Sequence, residues 1–267
     1  MLKWPLIFLR AGENMKEKIS IFGVNIDKLT IKDAEDRVKS FLNSNNINTI
    51  YTPNTEIVME ARKDEELKDI LNKGNLVIPD GIGLVYASRI KKKPLPERVT
   101  GFDLSIKILE IANEKGYSLF LLGGKPGIAG MAAENIRKKY PNINIVGTNH
   151  GYFKGTHTGY IEHEEEIEVI EKINSLQPDI VFVGFGAPKQ EKWIDQNREK
   201  LKCKVIIGNG GTIDILAGTV KRAPEIYQKL GLEWLYRLLK DPKRIKRQLV
   251  LPKFALIVLF SKDDVVK

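Results

Sequence analysis

Cysteine is almost absent from this chain, and its scarcity excludes two kinds of stabilising site. Cys203 is the only cysteine among 267 residues, so neither an internal disulfide nor a cysteine zinc site can form. A single free thiol is typical of a reducing compartment. Histidine is scarce too, with three residues at positions 150, 157 and 163. Their spacing does not place them on one helical face, so the sequence does not favour a histidine metal site.

Long apolar runs are also missing. The most apolar stretch, residues 249–260, has twelve residues, whereas a helix needs about 20 apolar residues to span a bilayer. The apolar run at residues 2–9 is too short for the core of a signal peptide and is closed by Arg10. Met15 lies just before the first predicted strand and could be the natural start. Residues 1–14 are therefore expected to form a peripheral arm.

Acidic residues are fewer than basic ones. The chain has 34 Asp and Glu against 43 Lys and Arg, which gives a formal net charge of +9. This excess points to an anionic partner, which could be nucleic acid, anionic lipid or a phosphorylated substrate. The remaining composition, with 42% hydrophobic and 29% charged residues, is that of an ordinary folded protein. The location of the basic residues must decide among the three partners.

Short apolar runs alternate with helical patterns along most of the chain. Residues 50–51 and 76–78 are two such runs, and apolar residues recur at helical spacing between them. A strand–helix–strand unit of this kind almost always joins parallel strands. We count some seven strands, the first at residues 19–24. The pattern predicts an α/β fold over residues 15–217, with a layered, Rossmann-like, mostly parallel sheet flanked by helices.

Polar residues follow the strands of the first unit at the point where each strand ends. Thr52 and Asn54 follow the first run, and Asp80 follows the second. The carboxyl ends of parallel strands lie at one edge of the sheet, where open α/β folds bind ligands. Asp80 is therefore a candidate catalytic carboxylate, although an aspartate in a loop can equally be a turn residue or a helix cap.

Glycine-bearing loops follow the later strands. Backbone amides in such loops can approach a phosphate and hand it to the N-terminus of the next helix, but the glycines can also serve only a tight turn. The G-x-G-x-x-G spacing of a dinucleotide site is missing from the first loop. The candidate nucleotide-binding residues are Gly123, Gly124, Gly184, Gly186, Gly210, Gly211, Thr212, Arg98 and Asp103. At Asp103, helix capping competes with a ligand role.

The last fifty residues differ from the rest. Residues 240–247 carry five basic residues against one aspartate, and the apolar stretch 249–260 follows directly. This order favours an element lying on an anionic membrane, where each Lys or Arg contributes on the order of 1 kcal/mol. A core helix is the other interpretation. Nucleic acid is the rival partner, but the basic cluster lacks aromatics for base stacking. We expect residues 218–267 to form a membrane-associating appendage.

Together these motifs resemble those of the WecG/TagA/CpsF glycosyltransferases. The motifs occur in one collinear order between about residues 19 and 250. They are Thr52-Pro53-Asn54, Asp80-Gly81-Ile82-Gly83, Arg98-Val99-Thr100-Gly101-Phe102-Asp103, Leu122-Gly123-Gly124, Gly184-Phe185-Gly186, Pro188-Lys189-Gln190-Glu191, Gly210-Gly211-Thr212, Arg222-Ala223-Pro224 and Gly231-Leu232-Glu233-Trp234. The chain departs from the family pattern at Ile213, where an aromatic residue is common.

The resemblance implies an inverting enzyme on the cytoplasmic face of the plasma membrane. Its nearest branch transfers N-acetylmannosamine from a UDP donor to undecaprenyl-diphosphate-linked N-acetylglucosamine, which forms the linkage unit of wall teichoic acid. Carried onto this chain, the resemblance implies Asp80 as the general base, Thr52, Asn54 and Gln190 as polar groups around the sugars, and Arg222, Arg237, Arg244 and Arg247 as residues that meet the lipid diphosphate. The sequence has no D-x-D motif, so we expect a reaction without a metal ion or other cofactor.

Two other interpretations stay open. One keeps the fold and changes the donor to UDP-N-acetylmannosaminuronate or UDP-glucose. The other is a non-catalytic nucleotide- or lipid-binding module in which Asp80 only caps a helix. In each case we expect anionic lipid rather than nucleic acid as the surface partner, and exposed apolar surface at a sheet edge favours self-association.

Overall fold

The computed structural model describes residues 17–261 and 265–267, so the expected arm at residues 1–14 lies outside the described residues. The described chain opens with an antiparallel hairpin of β1 (Lys18–Ile21) and β2 (Val24–Asp27). Phe22 and Gly23 form its turn with φ values of 51° and 86°, the left-handed conformations that a tight two-residue hairpin requires. The prediction of one strand over residues 19–24 is therefore wrong, because the chain reverses there.

Six further strands form a parallel sheet within the described residues, in the order β4-β3-β8-β7-β5-β6. The strands are β3 (Asn48–Tyr51), β4 (Leu76–Val77), β5 (Ser118–Gly123), β6 (Asn144–Asn149), β7 (Ile180–Gly184) and β8 (Val205–Gly208). β3 and β4 are parallel neighbours, which confirms the predicted crossover. Because every pair runs the same way, all six carboxyl ends lie at one edge of the sheet.

Helices connect the strands and continue into the C-terminal region. They are α1 (Ile31–Leu42), α2 (Thr55–Ala61), α3 (Glu65–Asn72), α4 (Ile82–Ile90), α5 (Gly101–Lys115), α6 (Ile128–Lys139), α7 (Glu164–Leu176), α8 (Lys189–Asn197), α9 (Thr212–Leu216), α10 (Glu225–Lys229), α11 (Glu233–Lys240), α12 (Ile245–Gln248) and α13 (Val250–Phe260). The local signals are clear at α1, where the Thr30 hydroxyl accepts from the Asp33 N–H and the Asp33 carboxylate accepts from the Thr30 N–H.

Helices cover both faces of the sheet, and alternate residues of each strand point to opposite faces. In β7, Val181 and Val183 pack with α2, α3, α7 and α8 on one face. Ile180 and Phe182 of the same strand pack with α1, α5, α6 and α9 on the other face. The result is the predicted layered α/β fold, with a buried parallel sheet between two helical layers.

Part of the C-terminal region belongs to the core. Val265 and Val266 are buried, and backbone hydrogen bonds join Lys267 to Ser20 of β1 and Val265 to Phe22 of the hairpin turn. On α13, Phe254 and Val258 are also buried, and the helix packs against α2 and α4. The other face of α13 is apolar and exposed. No helix in the described part of the chain has both the length and the apolar character needed to cross a bilayer.

Candidate active site

Asp80 lies in the loop after β4 and is fixed from two sides. Its backbone N–H donates to the Pro53 carbonyl at 3.2 Å, which joins the loop after β4 to the loop after β3. Its carboxylate accepts a hydrogen bond from the backbone N–H of Gly101, at the first turn of α5. The carboxylate therefore has a defined position at the carboxyl edge of the sheet. It does not cap α4, the helix that follows it, which has no side-chain cap.

Burial raises the pKa of Asp80 to about 6. The positive charges of Arg98 and Arg237 oppose this rise, and the Glu233 carboxylate adds to it. The side chain is nevertheless only partly buried by surface area, so water or a substrate can reach it. An accessible carboxylate whose pKa lies just below neutrality is mostly ionised and unusually basic, which suits a general base.

The two predicted residues after β3 have structural partners. The Thr52 hydroxyl is buried and donates to the Gly208 carbonyl at 3.0 Å, which ties the end of β3 to the end of β8. The Asn54 side-chain oxygen accepts from the Ile57 N–H at 3.1 Å and so caps α2. The Asn54 amide group is then the part of this side chain that can donate to a sugar.

The glycine loops after β5, β7 and β8 contact one another through their backbones. A Cβ on Gly123 would lie 2.6 Å from the Gly184 carbonyl oxygen, and a Cβ on Gly184 would lie 2.9 Å from the Gly210 carbonyl oxygen. The Gly124 N–H donates to the Gly184 carbonyl at 3.2 Å. Glycine is needed here because the loops approach more closely than a side chain would allow.

Gln190 fastens two of these loops together. It is 2% exposed, and its side-chain oxygen accepts from the backbone N–H groups of Gly186 at 3.2 Å and Gly210 at 2.8 Å. Its amide nitrogen donates to Glu191 at 2.9 Å. Glu191 is 1% exposed, and burial raises its pKa to about 7. These contacts give Gln190 a supporting position beneath the loops, while its expected contact with a sugar stays a prediction.

Charged residues from distant parts of the chain pair beside Asp80. Arg98 forms an ion pair with Glu233 of α11. Arg222 binds both oxygens of Asp103, at 2.7 and 2.9 Å, and its guanidinium lies 4.6 Å from the centre of the Phe102 ring. Burial alone would raise the pKa of Asp103, but hydrogen bonds from Arg222 and Thr100 hold it below its usual range. The nucleotide role expected for Arg98 and Asp103 stays a prediction.

Sequence reasoning missed Glu233 as a site residue. The residue was visible in the Gly231-Leu232-Glu233-Trp234 motif, but its partner lies 135 positions away in the chain. An ion pair over that separation leaves no local sequence signal. The contact matters because it brings the start of α11 to Arg98 and therefore to the Asp80 carboxylate.

Three of the four predicted diphosphate-binding arginines, Arg237, Arg244 and Arg247, lie in α11, the turn after it and α12, whereas Arg222 lies in the loop before α10. Arg237 is close enough to Asp80 to lower its pKa. Burial lowers the pKa of Arg244, and the nearby charges of Arg237 and Arg247 lower it further, so the three guanidinium groups lie near one another. Arg247 also forms an ion pair with Glu56 at the first turn of α2, at 3.2 Å. The cluster thus lies on the same side of the protein as the Asp80 carboxylate.

The histidines have structural partners. His157 is buried, stacks on Phe185 with ring centroids 4.3 Å apart, and forms a hydrogen bond to the Gly151 carbonyl at 3.1 Å. His163 caps α7. Among residues 17–261 and 265–267, no group of three or more His, Cys, Asp or Glu side chains is placed to hold a metal ion. Metal independence itself stays a prediction.

Comparison with known proteins agrees with the geometry. The model of the family described as "Glycosyl transferase WecG/TagA/CpsF family" matches residues 19–264. A protein of Staphylococcus aureus strain MRSA252 is 35% identical over 252 residues, which cover 94% of this chain and 95% of that protein. A protein of strain MW2 is 34% identical over the same coverage. Both are named N-acetylglucosaminyldiphosphoundecaprenol N-acetyl-beta-D-mannosaminyltransferase.

Proposed function

The chain belongs to the WecG/TagA/CpsF family of glycosyltransferases, and from this premise we propose that it transfers N-acetyl-D-mannosamine from UDP-N-acetylmannosamine to undecaprenyl-diphosphate-linked N-acetylglucosamine. The product is the β-1,4-linked disaccharide of the wall teichoic acid linkage unit. The observation that carries the proposal is Asp80, an accessible carboxylate whose pKa burial raises to about 6, at the carboxyl edge of the parallel sheet.

In the proposed reaction Asp80 acts as the general base. It takes the proton from the acceptor hydroxyl as the hydroxyl oxygen attacks the anomeric carbon of the donor sugar. The bond from that carbon to the UDP oxygen breaks on the opposite side, so the configuration inverts and UDP leaves with the electron pair. The fixed position of the carboxylate between Pro53 and Gly101 supports this role, because a base must be held within hydrogen-bond reach of the proton it removes.

The departing UDP needs its negative charge stabilised. The loops after β5, β7 and β8 present backbone at the same edge of the sheet, and α6 begins at Gly127 without a side-chain cap. Unpaired N–H groups at a helix N-terminus attract phosphate. We assign the donor diphosphate to the surface formed by Gly123, Gly124, Gly184, Gly186, Gly210, Gly211 and Thr212, with Arg98 and Asp103 at the border of the site. The N–H groups of Gly124, Gly186 and Gly210 donate within the protein, so these glycines contribute close approach of the backbone, and the N-terminus of α6 contributes the attraction for the phosphate. This arrangement supplies charge stabilisation without a divalent ion.

The acceptor approaches from the C-terminal side. Arg237, Arg244 and Arg247 form a compact positive cluster near Asp80, and guanidinium groups bind diphosphate oxygens in pairs. Arg222 forms ion pairs with Asp103 of α5 and with Glu233 at the start of α11, the helix that carries Arg237. We assign these four residues to the acceptor diphosphate. A lipid-linked acceptor and a basic C-terminal region support our proposal that the enzyme is a peripheral protein of the cytoplasmic face of the plasma membrane.

Replacement of the base tests the proposal directly. Asp80→Asn keeps the size of the side chain and removes its basicity, so turnover should fall by about 10² or more while UDP still binds. Transfer is followed by the mass of the product, and UDP binding by calorimetry. Asp69→Asn, an exposed aspartate on α3, is the matched control and should keep wild-type turnover. Full activity in the Asp80→Asn protein would refute the assignment.

A donor screen separates the proposed reaction from its alternatives. The same acceptor is offered with UDP-N-acetylmannosamine, UDP-N-acetylmannosaminuronate and UDP-glucose, and product masses are compared. We expect the first donor to give the fastest transfer. Faster transfer from either of the other two donors would change the assigned donor and leave the assignments of the fold and of the base as they are. No transfer from any donor, with UDP still bound, would favour the non-catalytic module.

A further inference from the structure

An apolar groove of about 720 Å³ runs beside the Asp80 loop. Its walls are α4, through Ile82, Tyr86 and Ile90, and α13, through Ala255 and Leu259. Among the described residues that line it, Glu56 and Arg89 are the charged ones. A volume of this size is typical of a site for a drug-sized molecule. The reaction derived above does not use this groove.

The groove connects the reacting position to the protein surface. Its lining includes Gly81, the residue directly after Asp80, and Asn54. It also includes Ile90 and Leu259, which are 50% and 58% exposed. A molecule with a polar group at Asp80 and an apolar group extending between α4 and α13 would match this lining.

We propose that this groove binds the first isoprene units of the acceptor, those nearest the diphosphate. This inference rests on the proposed function, since the acceptor of the curated relatives is by name a diphosphoundecaprenol. The acceptor sugar must reach Asp80, and the diphosphate must lie near the arginine cluster. The prenyl chain continues from the diphosphate, and the groove offers it an apolar path to the surface. Isoprene units farther from the diphosphate remain in the bilayer.

Contacts between the protein and the prenyl tail, and not only the membrane around the tail, then contribute to the affinity for the acceptor. Removal of prenyl surface from water favours binding in proportion to the area buried. The affinity for the acceptor should therefore rise with tail length even when no membrane is present, and it should stop rising once the groove is full. A site that recognised only the sugar and the diphosphate would show no such dependence.

Soluble acceptors test this without vesicles or detergent. N-acetylglucosaminyl diphosphates with prenyl tails of five, ten and fifteen carbons are used below their micelle concentrations, with UDP-N-acetylmannosamine as donor. We expect the acceptor KM to fall about tenfold or more from the shortest to the longest tail, with kcat changing little. Transfer with equal KM values would overturn the groove proposal and leave the proposed function intact. No transfer to any acceptor would instead count against the proposed function.

Two substitutions on one helix provide a matched pair. Leu259 lines the groove and Leu256 does not, although both lie on α13 and are 58% and 57% exposed. Leu259→Glu should raise the KM of the fifteen-carbon acceptor about tenfold while the five-carbon acceptor is affected little. Leu256→Glu, with the same change of charge and hydropathy, should leave both values near wild type.

Three outcomes would overturn the proposal. Equal effects of Leu259→Glu and Leu256→Glu on the KM of the fifteen-carbon acceptor would do so, because a general effect of charge on α13 would explain them. An absence of any effect from either variant would overturn it as well. A tail-length dependence that disappears when the enzyme is diluted would assign the groove to a second copy of the chain instead.

Discussion

Two carboxyl groups near the site have raised pKa values from the same cause, burial, but differ in access. Asp80 is partly exposed and has Arg98 and Arg237 nearby, so its pKa stays at about 6 and it is mostly ionised at neutral pH. Glu191 is 1% exposed and is bound by the Gln190 amide, and its pKa is about 7. The Asp80 carboxylate is accessible to a substrate and can exchange a proton with it. The Glu191 carboxyl group is inaccessible and holds Gln190, which in turn binds the glycine loops.

The first prediction concerns the pH dependence of transfer. A general base works only when ionised, so kcat/KM should rise with pH through about 6 and level off above it, following the pKa of Asp80. Initial rates at low acceptor concentration between pH 5 and 8 measure this. The residual rate of Asp80→Asn should lack the inflection near 6. A rate that rises on acidification would rule out Asp80 as the base.

The second prediction concerns stability and Glu191. An ordinary glutamate has a pKa of about 4.3, whereas the folded protein holds this proton until about pH 7. The folded state therefore binds more protons in that window, and stability falls as pH rises from about 4.3 to 7, by at most about 4 kcal/mol. Glu191→Gln keeps an oxygen acceptor for Gln190 and has no proton to lose.

Urea unfolding at pH 5 and pH 8 measures this effect. The loss of unfolding free energy between the two pH values should be smaller in Glu191→Gln than in the wild type, by about 1–3 kcal/mol. Asp80 contributes equally to both proteins, so its own titration cancels. Glu171→Gln, on the exposed face of α7, should retain the wild-type pH dependence. An unchanged pH dependence in Glu191→Gln would show that Glu191 is ionised in the folded protein throughout.

At the scale of elements, the glycine loops after β5, β7 and β8 are in close backbone contact with one another. The third prediction is that Gly184→Ala destabilises the protein by about 1–3 kcal/mol, because its Cβ would lie 2.9 Å from the Gly210 carbonyl oxygen and 3.0 Å from Ile213. Chemical denaturation measures the change. Gly211→Ala is the control: Gly211 has φ −80° and open space around a Cβ, so its effect should be near zero or slightly stabilising. Equal effects would contradict the close packing of the loops.

Elements with strong local signals could be predicted from the sequence, and others could not. The capping box at Thr30 and the apolar runs of β5, β7 and β8 depend only on neighbouring residues. The helical pattern between β3 and β4 was continuous in the sequence, yet the structure divides it into α2 and α3, because Asp64 caps a new helix after a turn. Strand order is also beyond local reasoning, since β3 pairs with β8 across most of the chain.

Some residues of the candidate site could likewise be predicted from the sequence, and others could not. Asp80 and the glycine loops could be located because parallel strands place their following residues at one edge. The partners of Arg98 and Asp103 could not, because Glu233 and Arg222 approach them from the C-terminal region only in the folded chain. The resemblance implied Gln190 as a polar group around the sugars, which stays a prediction. Its hydrogen bonds to two loop amides depend on tertiary packing and leave no local sequence signal.

At the scale of the whole molecule, residues 218–267 are less separate than their composition predicts. Phe254, Val258, Val265 and Val266 are buried in the same core as α2 and α4. Truncation after Ala217 would remove these side chains together with the basic cluster, so a loss of membrane binding in the truncated protein would have two explanations. Substitution of exposed lysines tests the basic cluster without disturbing the core.

The last prediction is that the basic cluster binds anionic membranes. Lys243 and Lys246 are exposed in the segment that precedes α13, and each lysine near an anionic bilayer contributes on the order of 1 kcal/mol. The double variant Lys243→Glu/Lys246→Glu should therefore pellet with phosphatidylglycerol vesicles at least about tenfold more weakly than the wild type. Added salt should weaken the binding of the wild type more than that of the variant, because it screens the charges that the variant lacks.

Lys138→Glu/Lys202→Glu changes two exposed lysines of the α/β core by the same charge and should bind nearly as the wild type does. A similar loss in both double variants would mean that net charge, rather than this cluster, directs the protein to the membrane.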